Sequence, residues 1–121
     1  MDIEEIIRIQ NEFDYEHGWA LKSNDTKEKV KLINKDLIGI FGEIGEFSNL
    51  IKKLNLDLER VKDIEFEANF SKIRGDLEEE LIDTFIYLIR IANHLDMDMT
   101  EKYLYKIKKN RERFKRYEVD K

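Results

Sequence analysis

The sequence predicts an all-α fold, a helical bundle of four to five helices. Three observations predict it. Apolar residues recur at helical spacing in four separate segments. The chain has no proline and only five glycines, whereas a β-meander needs turn residues roughly every 8–12 positions. Apolar residues make up 41% and charged residues 40%, which leaves few neutral polar positions for loops and suits amphipathic helices. At 121 residues the chain has the size of one domain, taken as 1–121, and buries about two-thirds of its unfolded surface on folding.

The first segment runs from about Asp2 to His17, with Ile3, Ile6, Ile7 and Phe13 at helical spacing, Gln10 interrupting the stripe and Gly18 stopping it. Residues 20–27 read as a loop, with Asp25 or Thr26 as N-cap of the second segment. That segment runs from about Lys27 to Lys53. With Ile40 at zero on a helical wheel, Ile33, Leu37, Ile44, Phe47 and Ile51 fall within ~60° of it. The third segment, Asp76 to Leu95, begins after Gly75 with a spacing of Asp76 and Glu79 like that of a capping box. Its broad apolar set (Leu77, Leu81, Phe85, Leu88, Ile89, Ala92, Leu95) predicts the most buried helix. The fourth runs from about Thr100 to Tyr117, capped by Thr100 or Asp98. Residues 54–74 carry no clean stripe, although LERVKDIEFEANF suits a short helix.

Composition excludes several function classes. Acidic side chains number 27 against 22 basic ones, a formal charge of -5, which disfavours binding duplex nucleic acid through phosphate contacts. The absence of cysteine removes disulfides, thiolate zinc sites and cysteine nucleophiles. The N-terminus opens acidic, without the layout of a signal peptide. The longest apolar run, Phe85 to Ile89, ends at Arg90, far short of the ~20 residues a membrane span needs. A cytoplasmic protein without membrane contact is the expectation. Segments two and three are too apolar for one thin bundle to cover, so self-association is expected.

Two pairs of acids carry the chemistry. Glu43 and Glu46 are three residues apart, as are Glu80 and Asp83, and residues three apart share a helix face. Glu43 falls inside the apolar stripe of its segment, between Leu50 and Leu54 on the wheel. Carboxylates entering a core boundary must be neutralised, and hard divalent cations such as Mg²⁺ take oxygen ligands of this kind. Against this, Glu78, Glu79 and Glu80 would lie in the first turn of a helix, where the dipole alone favours acids. Gly39, Gly42 and Gly45 each cost about 1 kcal/mol inside a helix, so segment two needs bare backbone, either for a ligand or for another helix. His94 lies 14 residues past Glu80, about 21 Å along a helix, too far to share its metal. His17 carries no functional signal either, and Trp19 by itself reads as core or interface.

GEIGEFSNLIKK (Gly42 to Lys53) followed by EELIDTFIYLIRIA (Glu79 to Ala92) resembles the ExxE…ExxD signature of MazG-like, all-α nucleoside triphosphate pyrophosphohydrolases. FDYEHGW (Phe13 to Trp19) and KIKKNRERF (Lys106 to Phe114) resemble the family's N-terminal aromatic and C-terminal K…N..R segments. The resemblance covers nearly the whole chain, in order. It implies a helical dimer or dimer of dimers, and the self-association expected from the apolar segments would set the pocket near or across the interface. It also implies Mg²⁺-dependent cleavage of a nucleoside triphosphate between its α and β phosphates, with Mn²⁺ able to substitute, in nucleotide-pool control or house-cleaning. By matching positions, Glu43, Glu46, Glu80 and Asp83 would hold the metal, with Glu46 also acting on the attacking water. Tyr87 would face the nucleotide and Trp19 stack on the base. Lys53, Lys106, Asn110 and Arg113 would contact phosphates or sugar, the last helix folding back over the metal site. A narrower form of the reading prefers a pyrimidine deoxynucleotide such as dCTP or dUTP. The alternative is a catalytically silent helical homo-oligomeric interaction module whose acidic pairs are surface groups.

Overall fold

The computed structural model describes residues 1–120, with Lys121 outside them. Among the described residues four α-helices follow one another, α1 (Ile3–Glu16), α2 (Thr26–Asp57), α3 (Asp63–His94) and α4 (Met99–Arg113), and a 3₁₀ turn (Lys115–Tyr117) comes after α4. No strand occurs among the described residues.

The core is an antiparallel hairpin of α2 and α3, each of 32 residues. Along α2 the half-buried or buried positions include Asp36, Ile40, Glu43, Phe47, Leu50 and Leu54. Along α3 they include Ile73, Leu77, Glu80, Thr84, Tyr87, Ile91 and His94. Both sets alternate steps of three and four, the seam of two long helices packed side by side. Three cross-contacts set the register: His94 Nε2 lies 2.8 Å from Asp36 Oδ2, the Tyr87 ring rests on Gly39, and Asn69 Nδ2 donates to Asp57 Oδ2 at 3.5 Å. Glu43 and Glu80 occupy seam positions on facing helices, which forces two acids towards one another.

Helix ends follow their capping residues. Asp2, Asp25 and Asp98 each accept a hydrogen bond from the backbone N–H three residues on, at 2.9, 3.1 and 3.0 Å, satisfying an otherwise orphaned donor. Asp25 rather than Thr26, and Asp98 rather than Thr100, therefore cap α2 and α4. Gly18, at φ +70°, takes the left-handed conformation that ends α1.

Three sequence expectations are corrected. Segment three starts at Asp63, so Gly75 is internal to α3 and Asp76/Glu79 is not a capping box. For the same reason Glu78, Glu79 and Glu80 lie in mid-helix, where the N-terminal dipole does not explain them. The continuing seam (Ile73, Leu77) outweighs the roughly 1 kcal/mol that one glycine costs a helix. The 54–74 stretch is the end of α2, a turn and the start of α3. Finally, α1 turns Ile3, Ile7, Gln10, Asn11 and Asp14 inward, so Gln10 belongs to the contact face, while Ile6, Ile9 and Phe13 remain exposed.

As expected, α3 is the most buried helix, with Leu77, Ile89, Ala92 and His94 enclosed, but Leu81, Leu88 and Leu95 of its expected apolar set are exposed. By contrast α4 has no buried residue, and no extensive contact joins it to the other helices. Its expected fold-back over the carboxylates does not occur within one chain. No described helix is long and apolar enough to cross a membrane.

Candidate active site

The seam brings Glu43, Glu46 and Glu80 together, with one carboxylate oxygen of each within 4.8 Å of the others. Glu43 and Glu80 are half-buried and Glu46 is exposed. Asp83, the fourth acid of the two pairs, is not part of this cluster. It lines, with Glu43, a neighbouring cavity of about 740 Å³, a volume in the range of small-molecule sites. Each pair thus splits into one seam residue (Glu43, Glu80) and one flanking residue (Glu46, Asp83), and Glu43 joins the cluster to the cavity.

The cluster is electrostatically incomplete. The Glu80 carboxyl is pushed up to about 8, first by its hydrogen bond with Glu43, then by desolvation and by Glu46. Its Oε2 is buried without a hydrogen-bond partner. Like charges this close cannot all ionise unaided, so the protein alone holds a proton there. A divalent cation would replace that proton, and an all-oxygen set with an orphaned buried acceptor fits Mg²⁺ or Mn²⁺.

The rest of the cavity is built by α1, the loop after it, α2, α3 and the turn after α3. Tyr87 and Trp19 both line it. The Trp19 ring stacks on His17 with centroids 5.1 Å apart and lies 5.8 Å from that of Phe13. Its backbone N–H donates to the Asp14 carbonyl at 2.7 Å, which ties the loop to the end of α1. Tyr87 sits low because Gly39 has no side chain: a Cβ there would stand 2.5 Å from ring atoms Cε1 and Cζ. Gly42 and Gly45 meet nothing within 4 Å, so only the first of the three glycines is explained by helix contact.

Several cavity residues escaped the sequence reading. Asp14, only 3% exposed, accepts two hydrogen bonds from Arg90, Nε to Oδ2 at 3.0 Å and Nη2 to Oδ1 at 2.9 Å. Gln10 Nε2 donates to the same carboxylate at 2.9 Å. Beside this pair Asn93 Nδ2 donates to Asn11 Oδ1 at 2.6 Å. In the sequence Arg90 marks only the end of an apolar run. The signal that finds it is the three-and-four spacing of Glu80, Asp83, Tyr87, Arg90 and His94, a polar stripe running the length of the site. His94 is buried against Asp36, the structural role its distance from Glu80 implies.

Lys53 is exposed on α2 and does not line the cavity. Lys106, Asn110 and Arg113 lie on α4, and no α4 residue lines the cavity. The Arg113 guanidinium instead lies 5.0 Å from the Phe114 ring. Two of the six expected substrate contacts, Trp19 and Tyr87, therefore meet the carboxylates' cavity in one chain.

No known family model matches the sequence. The chain is 30% identical over 112 residues to dCTP pyrophosphatase 1 of mouse (Mus musculus), and equally to that of rat (Rattus norvegicus). The match takes in 93% of this chain and 58% of each relative, so the chain spans little more than half the length of these proteins. The fold is similar to the crystal structure of a pyrophosphatase from Archaeoglobus fulgidus DSM 4304, with a TM-score of 0.64 and 25% identity, covering 93% of this chain and 91% of that one. Both likenesses, in sequence and in fold, are to pyrophosphatases.

Proposed function

We propose that residues 1–121 form one domain of a nucleoside triphosphate pyrophosphohydrolase, cleaving a ribo- or deoxyribonucleoside triphosphate between the α and β phosphates to a monophosphate and pyrophosphate. One observation carries the reading: a single cavity is lined both by carboxylates (Glu43, Asp83) and by aromatic rings (Tyr87, Trp19). Such a cavity suits a ligand with a charged, metal-binding tail and a flat, stackable head. The likeness to pyrophosphatases in sequence and fold supports the same chemistry.

In this reading Glu43, Glu46, Glu80 and Asp83 hold Mg²⁺. When bound, the ion supplies charge neutralisation for phosphate oxygens, the main requirement of phosphoryl chemistry. Glu46, the exposed member of the cluster, orients the attacking water and accepts its proton. Tyr87 and Trp19 hold sugar and base. Lys53, Lys106, Asn110 and Arg113 are assigned to the phosphates through assembly, because α4 does not reach the cavity within one chain.

Self-association as a homodimer or dimer of dimers belongs to the same proposal. Ile38 and Phe41 on α2 are 65% and 66% exposed and Ile82 on α3 is 58% exposed, and exposed apolar groups of this size mark interfaces. A role in nucleotide-pool control or house-cleaning in the cytoplasm belongs to the same proposal. Product analysis tests the proposal: the account expects monophosphate with pyrophosphate, and diphosphate with inorganic phosphate would overturn it.

A further inference from the structure

We infer that Arg90 reads the base: clamped on one edge by Asp14, its guanidinium offers the other edge, two parallel N–H donors, to a nucleobase with two adjacent acceptors. Cytosine (O2 and N3) and guanine (O6 and N7) have such an edge. The inference rests on the nucleotide reading above and adds to it the chemistry of the base.

The clamp fixes which donors remain. A guanidinium has five N–H groups. Asp14 takes the Nε–H and one Nη2–H, and Gln10 also donates to its Oδ1. The second Nη2–H and both Nη1–H groups have no partner among the described residues. One from each nitrogen forms the parallel fork that recognises paired acceptors, as in bidentate contacts to guanine O6 and N7.

The position of Arg90 agrees with this role. Arg90 lines the cavity with a side chain 20% exposed, buried enough to be fixed and open enough to be met. Its Cζ lies 5.2 Å from the Tyr87 ring centroid and 6.0 Å from that of Trp19, so both aromatic walls flank it. It stands two turns beyond Asp83, about 10 Å along the helix, which leaves room for a sugar and an α-phosphate between metal ligands and base. Stability alone is a poor reason for the pair, since replacing a buried ion pair by apolar residues is often neutral or stabilising.

The other bases do not match the fork. Uracil and thymine place an N–H between their carbonyls, and adenine flanks its ring acceptors with an amino group or C–H. Each sets at most one acceptor against two donors and leaves a desolvated N–H unpaired. Discrimination of tenfold or more is expected, as in sites built around a polar contact that the wrong ligand lacks.

The test is calorimetric binding of α,β-methylene analogues of dCTP, dGTP, dUTP, dTTP and dATP, with Mg²⁺, to the full chain. The cytosine or guanine analogue, or both, should bind at least tenfold tighter than the others, and the separate titrations show which. Arg90→Lys keeps a cation against Asp14 but loses the fork, and should bring all five within threefold of one another. Asp14→Asn/Arg90→Gln, which leaves no buried charge unpaired, should do the same, with thermal melting reporting that either variant is folded. Uracil or adenine binding as tightly as cytosine and guanine, a preference that survives both variants, or no binding of any analogue at millimolar concentration would each overturn the inference. Base-ordered binding without turnover of the natural nucleotides would remove the hydrolase reading and leave Arg90 in place. Turnover with a flat binding order would do the reverse.

Discussion

The ring of Tyr87 lies directly on the backbone of Gly39, so close that a Cβ at position 39 would stand 2.5 Å from two ring atoms. This contact joins α2 to α3 one turn from the carboxylates and sets the depth of the cavity that Tyr87 lines. Any side chain at position 39 would displace the Tyr87 ring from the cavity.

Gly39→Ala should therefore lower the melting temperature, although alanine is the better helix former by about 1 kcal/mol. Overpacking of this kind costs about 1–3 kcal/mol, and the displaced ring should raise KM. Combining it with Tyr87→Ala should recover part of the loss, because the second change removes the obstructing ring. Gly42→Ala and Gly45→Ala, with nothing within 4 Å, should instead stabilise the isolated chain. Thermal melts of the four variants decide it, and equal effects at all three glycines would contradict the special role of Gly39.

The Glu80 carboxyl gives a pH dependence with a definite sign. Its folded pKa is raised from 4.5 to about 8 by Glu43 and Glu46, so the folded chain binds a proton that the unfolded chain has released. Metal-free stability is then highest below pH 4.5 for this group and declines as pH rises through about 8. Glu80→Gln, a mimic of the protonated acid, should melt like the parent at low pH and above it beyond pH 8. Melts that diverge at low pH and converge at high pH would refute the sign.

Metal uptake must displace that same proton. Apparent Mg²⁺ affinity should fall by about tenfold per pH unit below pH 8, with about one proton released per ion bound. Calorimetry in buffers of different ionisation enthalpy measures the release. A proton count of zero would mean that the ion binds elsewhere.

The last helix is tested by contrast. Arg113→Ala should lower kcat/KM roughly tenfold or more, since a charge-assisted phosphate contact is worth roughly 1.5–3 kcal/mol. Lys115→Ala, an exposed charge in the 3₁₀ turn, should change it little. Equal, small effects would confine substrate binding to the cavity of a single chain. Because α4 does not reach that cavity alone, light scattering should also find at least a dimer, and an active monomer at micromolar concentration would contradict the assignment of α4 to the phosphates.

The hairpin is legible in the sequence because the apolar stripe around Ile40 is long, although of that stripe Ile33, Ile40 and Phe47 pack inward while Leu37, Ile44 and Ile51 are exposed. Glu43 stood out as an acid inside that stripe, and the facing acid followed from the matching pair at 80 and 83. The start of α3 was not legible, since Gly75 looks like a boundary unless one knows that Ile73 already packs. Asp14 and Arg90 were hidden for another reason. They are 76 residues apart, and a polar residue on a short helix reads as an outward face until its partner is known. The separation of Asp83 from the other three acids is likewise a matter of how two helices rotate about their seam, which periodicity of either one does not contain.

Pyrophosphate release from all common ribo- and deoxyribonucleoside triphosphates, with Mg²⁺ and with the parent and Glu80→Gln chains side by side, tests the central claim most directly. The account predicts release from at least one nucleotide by the parent and a fall to background in the variant, which stays folded. Full turnover by Glu80→Gln, or no turnover of any nucleotide by the folded parent, would contradict it, and the second result would leave a silent helical module in its place.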